Sequence, residues 1–197
     1  MGTGTATRRG RPRDPDLHRR LLQAALELLL ENGYDRLSLE SVAARGNVGR
    51  PTLYRRWPDK NAVVLDVIGT LRWELPTPNT GNLRDDLVAL AGDWNREDAE
   101  RDAVISGLLP AMTREPALRE AVMESIGRPR GAAFAEIIDR AVERGEAKSD
   151  PDTDLLGAIF PSLAFHRLNV LNRPIDERFV VRVVDHVLVP LITGHSS

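Results

Sequence analysis

The chain has 197 residues, of which 42% are hydrophobic, so it can form one mid-sized domain or a small domain followed by a larger one, and a disordered protein is disfavoured. It has no cysteine, which excludes disulfides, thiolate metal sites and cysteine nucleophiles. The net charge of −2 is uneven, because residues 1–60 hold 12 Lys and Arg against 7 Asp and Glu, whereas residues 61–197 hold 15 against 22. This distribution indicates that the N-terminal end meets a polyanion.

The first predicted segment is a flexible basic arm over residues 1–13, where the sequence MGTGTATRRGRPR can bury almost nothing. Arg9 and Arg11 belong to RGRP, which matches the core of AT-hook segments whose arginines enter a narrow, A·T-rich minor groove. The alternative is a basic or disordered arm that adds only nonspecific attraction to phosphates.

Four helices are predicted over residues 14–75. The first begins at Asp14 and Pro15, because these residues suit a helix cap and a first helical position. It ends at Asn32 and Gly33, where glycine can take the left-handed conformation. Leucines and alanines recur between these ends at helical spacing, so this helix has one apolar face.

The next three helices form a compact unit. Ser38 caps a second, short helix, the residues GNVG break it, and a third helix begins at Gly49 and ends at Pro58. Asp59 caps a fourth helix that runs to Trp73. Two short helices joined by a four-residue, glycine-containing turn predict a helix-turn-helix, whose second helix enters a groove of DNA.

The faces of the third helix predict a division of work. Leu53 and Trp57 share one face, which suits packing on the first two helices. Arg50, Thr52 and Arg55 lie toward the other side, where arginine can bind guanine O6 and N7 and threonine can meet a thymine methyl. The alternative is a charged, solvated face without a role in DNA binding.

Residues 37–64, with the sequence LSLESVAARGNVGRPTLYRRWPDKNAVV, resemble the DNA-binding region of TetR/AcrR-type transcriptional regulators. Within them, TLYRRWPDK is similar to the third-helix signature of Thr, an aliphatic residue, Tyr, two variable residues, an aromatic residue and a near-terminal Lys. The resemblance covers residues 14–70 and implies base or backbone contacts from the first turn of the third helix and phosphate contacts from Tyr54 and Lys60. The DNA-contacting residues we predict are Ser38, Arg50, Pro51, Thr52, Tyr54, Arg55 and Lys60, together with Arg9 and Arg11 of the arm.

The chain departs from the family pattern at two positions. Gly49 replaces the serine that often caps the third helix, so a side-chain acceptor is lost. Asn47 stands in the turn where glycine is usual, and we expect it in the left-handed region, which asparagine enters more easily than most residues.

The boundary of this unit lies near residue 76, where a predicted linker over residues 76–82 begins. The resemblance implies that residues 76–197, which start with this linker, form an effector-binding and dimerisation domain. No segment alternates as a strand, so an all-α fold is predicted. The helices predicted here cover residues 83–96, 99–113, 116–145 with a possible interruption at GRPRG, 153–172 and 176–192.

The last two predicted helices favour a homodimer, because the final one is apolar over more than half of its circumference and so needs more than one apolar neighbour. The alternative is burial wholly inside one subunit. The interface residues we predict are Leu156, Ile159, Leu163, Val180, Val183, Val184, Val187 and Leu191.

A ligand pocket is predicted between the helices of this domain, and Pro110 and Pro161 could open space by kinking their helices. Its mostly apolar candidates indicate a hydrophobic effector. Each of them can equally be a plain core residue, and the histidine an ordinary hydrogen-bonding one. The candidates are Trp94, Leu108, Met112, Phe134, Ile138, Phe160 and His166.

The sequence therefore predicts a homodimeric transcriptional repressor that binds a palindromic operator in double-stranded DNA and is released by a small-molecule effector. Two alternatives remain: a DNA-binding regulator without an inducer, and an all-helical interaction module with a basic tail. No phosphate loop, metal-ligand cluster or nucleophile elbow indicates an enzyme, and no cofactor is expected. Because no apolar run is long enough to span a bilayer and the first residues lack a signal peptide pattern, we expect a bacterial cytoplasmic protein without a membrane partner.

Overall fold

The computed structural model describes residues 15–93 and 99–194, and within these ranges all regular structure is helical. The predicted all-α fold is confirmed. The basic arm with Arg9 and Arg11, and the pocket candidate Trp94, lie outside the described residues. The helices are α1 (Pro15–Arg36), α2 (Leu39–Arg45), α3 (Arg50–Tyr54), α4 (Lys60–Thr70), α5 (Leu83–Gly92), α6 (Ala99–Met112), α7 (Pro116–Val122), α8 (Arg128–Glu143), α9 (Thr153–Asn169), α10 (Glu177–Val183) and α11 (Val189–Thr193).

The helix ends in the N-terminal unit follow the chemistry of their residues. Gly33 has φ 73° and interrupts the helix where the sequence predicts its end, but α1 continues beyond this kink to Arg36. The Ser38 hydroxyl caps α2 by accepting a hydrogen bond from the Ser41 N–H at 3.1 Å. Asn47 has φ 52°, as predicted for the turn, and Gly49 begins α3 without a side-chain cap.

The third helix is shorter than the sequence predicts, and α4 also ends earlier. After Tyr54 the chain makes a turn in which the N–H groups of Arg56 and Trp57 both donate to the Leu53 carbonyl. Trp73 lies beyond α4 because its N–H donates 2.9 Å to the carbonyl of Ser125, a tertiary bond that competes with continued helix.

Prolines explain two irregular turns in the C-terminal unit. Turns of π-helix at Met123–Gly127 and Val184–Leu188 come just before Pro129 and Pro190. Proline lacks an N–H and clashes with the carbonyl four residues earlier, so the helix widens there. The carbonyl that Pro129 cannot bond belongs to Ser125, and it accepts the Trp73 N–H instead.

The hydrophobic core has two clusters, and the first crosses the predicted boundary between the two units. It joins α1–α4 to α6 and α7, so the first four helices have no separate core of their own. The second cluster is formed by α5 and α8–α11. The residues that the C-terminal part contributes to the first cluster are Val104, Leu108, Ala111, Leu118 and Val122.

The linker between the units is fixed to α8. The Thr77 hydroxyl donates 2.7 Å to Glu136, and the Arg140 guanidinium donates to the carbonyl of Pro78. The Thr80 hydroxyl donates 2.8 Å to Asp86, which is fully buried.

No helix in the described part of the chain has the length and apolar character needed to cross a membrane.

Candidate functional site

The inward face of α3 is the one the sequence predicts. Leu53 and Trp57 are 0% and 2% exposed and belong to the core shared with α1 and α4. The Trp57 indole N–H donates 2.8 Å to Asp66, and its ring stacks on His18 with centroids 5.2 Å apart. These contacts fix the end of α3 to the helices on both sides of it.

The outward face of α3 carries the predicted base-contacting residues. Arg50, Pro51 and Arg55 are exposed, and Thr52 is half-buried beside them. The Arg55 guanidinium lies 3.4 Å from the Thr52 hydroxyl, at the long end of a hydrogen bond, so little holds it in place. The arrangement leaves two guanidinium groups free to approach base edges or phosphates.

Tyr54 is 46% exposed on the same surface, but its hydroxyl has a partner that the sequence analysis missed. It donates 2.8 Å to Glu40 on α2. This hydrogen bond lowers the pKa of Glu40 and raises the pKa of Tyr54, and the charge of Arg50 further favours the ionised carboxylate. The signal in the sequence was an acidic residue at position 40 in a motif with more basic than acidic residues.

Lys60, the other predicted phosphate-contacting residue, and Ser38, a predicted DNA contact, also have structural partners. The Lys60 ammonium donates 3.3 Å to the Tyr34 carbonyl and lies 4.2 Å from the centre of the Tyr34 ring. Ser38 caps α2, and a hydroxyl that accepts one bond can still donate another. Ser38 thus lies at the start of α2, and Lys60 lies at the start of α4.

A polar cluster connects the start of α4 to the C-terminal unit. The Tyr34 hydroxyl donates to Asn61, and the Asn61 amide donates 3.2 Å to Glu115 in the loop between α6 and α7. Beside it, Arg114 and Asp35 form an ion pair of 2.7 Å. Glu115 is thus connected through Asn61 and Tyr34 to Lys60.

A cavity of about 290 Å³ lies in the C-terminal unit. Most of its lining is apolar, and Asp102, Ser106, Arg130 and Asn169 are its polar members. It lies between α5, α6, α8 and α9 and beside the π turn that follows α7. The apolar residues that line it are Leu87, Leu90, Ala91, Ile105, Val122, Ile126, Phe134, Leu156, Phe160, Pro161, Phe165, Leu168 and Leu188.

The cavity includes only some of the predicted pocket residues. Phe134 and Phe160 line it, and so does Pro161. The other candidates within the described residues lie elsewhere, because sequence periodicity does not tell a cavity wall from a core. Leu108 and Met112 pack in the core shared with the DNA-binding helices, Ile138 is buried in the second core, and His166 is exposed away from the lining.

The predicted dimer residues separate into two groups. Leu163 and Leu191 are 38% and 49% exposed, and Ile159 and Val187 are half-buried. The others belong to the core of the subunit itself, because the apolar face of the final helix packs against α5 and α9, as the alternative interpretation anticipated. These buried residues are Leu156, Val180, Val183 and Val184.

No group of three or more His, Asp and Glu side chains within residues 15–93 and 99–194 is arranged to hold a metal ion. The two candidate sites are the exposed surface of α3 with Arg50 and Arg55, and the mostly apolar cavity of the C-terminal unit.

Comparisons with known proteins match both parts of the chain. Residues 21–67 match the family model described as bacterial regulatory proteins, tetR family, and residues 77–187 match the tetracyclin repressor-like C-terminal domain. An uncharacterized HTH-type transcriptional regulator of Mycobacterium tuberculosis is 37% identical over 192 residues, which cover 95% of each chain. The DNA-binding transcriptional repressor TetR of Mycobacteroides abscessus is 35% identical over 175 residues, covering 87% of this chain and 92% of that one.

Solved structures extend the likeness to the whole fold. The crystal structure of the TetR family transcription regulator SCO0332 has a TM-score of 0.59 and 29% identity, and the match covers 88% of this chain and 97% of that chain. The proteins of this family are DNA-binding transcription factors. Both units, their order and their helix-turn-helix show that the chain belongs to the TetR family of bacterial transcriptional regulators.

Proposed function

We propose that the chain is a homodimeric, cytoplasmic repressor that binds a palindromic operator through α3 and is released by a small, mostly apolar effector. One observation carries the proposal: Ile105 and Val122 line the cavity and also pack in the core of the DNA-binding helices. A ligand in the cavity would therefore press on the same side chains against which α1 and α4 are packed.

The proposed base contacts come from the exposed side of α3. Arg50 and Arg55 carry guanidinium groups that suit the O6 and N7 atoms of guanine, and Pro51 and Thr52 offer apolar surface for a thymine methyl. The buried Leu53 fixes the rotation of the helix, so these four residues face the groove together.

The proposed phosphate contacts surround that face. Ser38 and Lys60 each keep a donor that can reach the backbone and set the register without reading sequence, and Tyr54 can do the same once its hydroxyl is released from Glu40. Arg9 and Arg11 would add contacts from the arm, either in an A·T-rich minor groove or along the phosphates. Because phosphate contacts release counterions, affinity should fall steeply with salt.

A second copy of the chain is proposed to cover Leu163 and Leu191, with Ile159 and Val187 at the edge of the contact. All four are apolar and retain exposed surface on α9 or in the final helical segment. Dimerisation would place two α3 helices about 34–36 Å apart, so that they meet successive major grooves and read two half-sites. This spacing requires an operator with two-fold symmetry.

The effector is proposed to have an apolar body with one or two polar groups, because the cavity is mostly apolar and carries a few polar side chains. Its binding would favour a C-terminal arrangement in which α4 moves and the spacing of the two α3 helices changes. A coupling of about 1–3 kcal/mol would change operator affinity roughly 5- to 150-fold.

Selection of bound duplexes from genomic or random DNA tests the DNA-binding part of the proposal. The expected result is one palindrome with half-sites about 10 base pairs apart, bound with a steep salt dependence. A set of selected sequences without two-fold symmetry would contradict the dimeric repressor.

A cavity-filling variant tests the effector. Gly131 lines the cavity with open space around its α-carbon, whereas Gly107 has similar space but lies outside the lining. A panel of apolar compounds is screened for release of the wild-type protein from its operator. Gly131→Leu should then bind the operator but lose the response, whereas Gly107→Leu should keep both. If no compound releases the wild-type protein, the alternative without an inducer is favoured.

A further inference from the structure

One carboxylate stands inside the otherwise cationic DNA-facing surface. Glu40 lies in the first turn of α2, and it accepts the Tyr54 hydroxyl at 2.8 Å. The charge of Arg50 also acts on it. Glu40 thus adjoins two residues of the proposed DNA contact face, in a position where DNA phosphates would repel it.

Tyr54 cannot donate to Glu40 and to a DNA phosphate at the same time. Tyr54 has one O–H donor, and in the free protein that donor is given to Glu40. If Tyr54 donates to a phosphate instead, as the proposed function requires, its bond to Glu40 must break. Glu40 then loses its partner as water leaves the interface, and an ionised acceptor left unpaired there is costly.

Each base pair offers one replacement donor in the major groove, but on only one of its two bases. Cytosine presents its N4 amino group and adenine its N6 amino group, whereas guanine and thymine present acceptors. We infer that Glu40 is a specificity-determining residue that exchanges the Tyr54 hydroxyl for an exocyclic amino group of a base in the operator. Sequences that place guanine or thymine at that base position, and so present an acceptor to the carboxylate, are penalised. The inference rests on the proposed DNA contact face.

The test measures the affinity of the full chain by fluorescence anisotropy at fixed salt. The probes are the selected operator, its single-base-pair variants and a scrambled duplex. The wild-type protein should lose affinity about tenfold when one amino-bearing base in each half-site is replaced by guanine or thymine. Whether that base is cytosine or adenine identifies the amino group.

Glu40→Gln keeps the side-chain length and an oxygen acceptor for Tyr54 but removes the charge. This variant should bind the scrambled duplex roughly tenfold more tightly and lose most of the preference at the identified base pair, because the glutamine amide can donate to guanine or thymine as well as accept from an amino group. Glu74→Gln is the matched control, since it makes the same charge change at an exposed residue beside the C-terminal unit. It should change the affinity for operator and scrambled duplex equally and only slightly.

Tyr54→Phe separates a direct role of Glu40 from one exerted through Tyr54. Without the hydroxyl, all duplexes should bind more weakly by a similar factor, and the preference at the identified base pair should remain. The inference is overturned if Glu40→Gln keeps that preference, or if Tyr54→Phe abolishes it equally. A wild-type protein that binds operator and scrambled duplex alike would instead contradict the proposed function, before any variant is made.

Discussion

At the scale of single residues, side chains that are close in sequence along α3 and the turn after it are either buried in the core or exposed to solvent. Leu53 and Trp57 hold the helix to its unit, while Arg50 and Arg55 remain exposed. The helical period alone predicted this division, because side chains four residues apart share a face. It could not predict that Glu40 holds Tyr54, because that contact joins two helices whose packing depends on the turn between them.

Alanine substitutions distinguish reading a base from holding the backbone. Arg55→Ala should weaken binding to the selected operator by about 1–3 kcal/mol, with a smaller effect on a scrambled duplex. Lys60→Ala should weaken both duplexes alike and reduce the salt slope by about one, because it removes a phosphate contact. Titrations at several salt concentrations measure both. Equal, sequence-independent losses for the two variants would contradict base reading by Arg55.

At the scale of elements, the turn of the helix-turn-helix depends on a close approach to α1. A β-carbon at Gly46 would lie 2.4 Å from the Leu21 side chain and 3.2 Å from the Val42 carbonyl. The sequence indicated a glycine-containing turn. Only the packing of α1 against it shows that an added side chain would displace Leu21.

Gly46→Ala should therefore lower the free energy of unfolding by about 1–3 kcal/mol, because the core must shift to make room. The matched control is Gly69→Ala in α4, where nothing lies within 4 Å of the added carbon. That variant should be stabilised by about 0.5–1 kcal/mol, since alanine favours helix over glycine. Denaturant unfolding followed by circular dichroism measures both changes. Equal effects at the two positions would contradict the close approach.

The helices α6 and α7 belong to the second unit in sequence but to the core of the first unit in space. Leu108 and Leu118 are fully buried against the DNA-binding helices, although both follow the linker. The linker prediction was based on composition, which identifies a connecting segment but not where the apolar faces on either side of it pack. The two units should consequently unfold together.

Leu118→Ala tests this shared core. We expect it to lower the free energy of unfolding by about 2–5 kcal/mol in one transition, because the cavity it leaves affects both units. Leu30→Ala is the control, since Leu30 is exposed and its truncation should change the free energy by about 0.5 kcal/mol or less. Calorimetry and denaturant unfolding measure this. A separate, unchanged transition for the DNA-binding unit would show that the cores are independent.

At the scale of the whole molecule, the apolar cavity and the cationic helix are joined through Ile105 and Val122. A polar connection runs beside them from Glu115 through Asn61 to Tyr34. Both connections reach α1 and α4, which pack in the same core as α3. A change of shape around the cavity could therefore be transmitted to the proposed DNA contact face. Dimerisation would convert that change into a change of spacing between two such faces.

The dimer itself is tested by charge insertion. Leu191→Asp should shift the protein toward monomer and weaken operator binding, because an aspartate buried in an apolar interface loses its hydration. Leu75→Asp, at a similarly exposed leucine just before the linker, should leave both properties nearly unchanged. Sedimentation velocity at several concentrations measures the oligomeric state. An unchanged mass for Leu191→Asp would place the interface elsewhere.

The sequence by itself determined the helical class, the helix-turn-helix and the two faces of α3, because each depends on periodicity and turn chemistry within a few residues. Only the tertiary structure decided that Leu108 packs with the DNA-binding helices, that Phe134 and Phe160 line a cavity, and that Glu40 holds Tyr54. These contacts join residues far apart in the chain, and a local pattern that makes a side chain apolar or polar does not specify the neighbour it will meet.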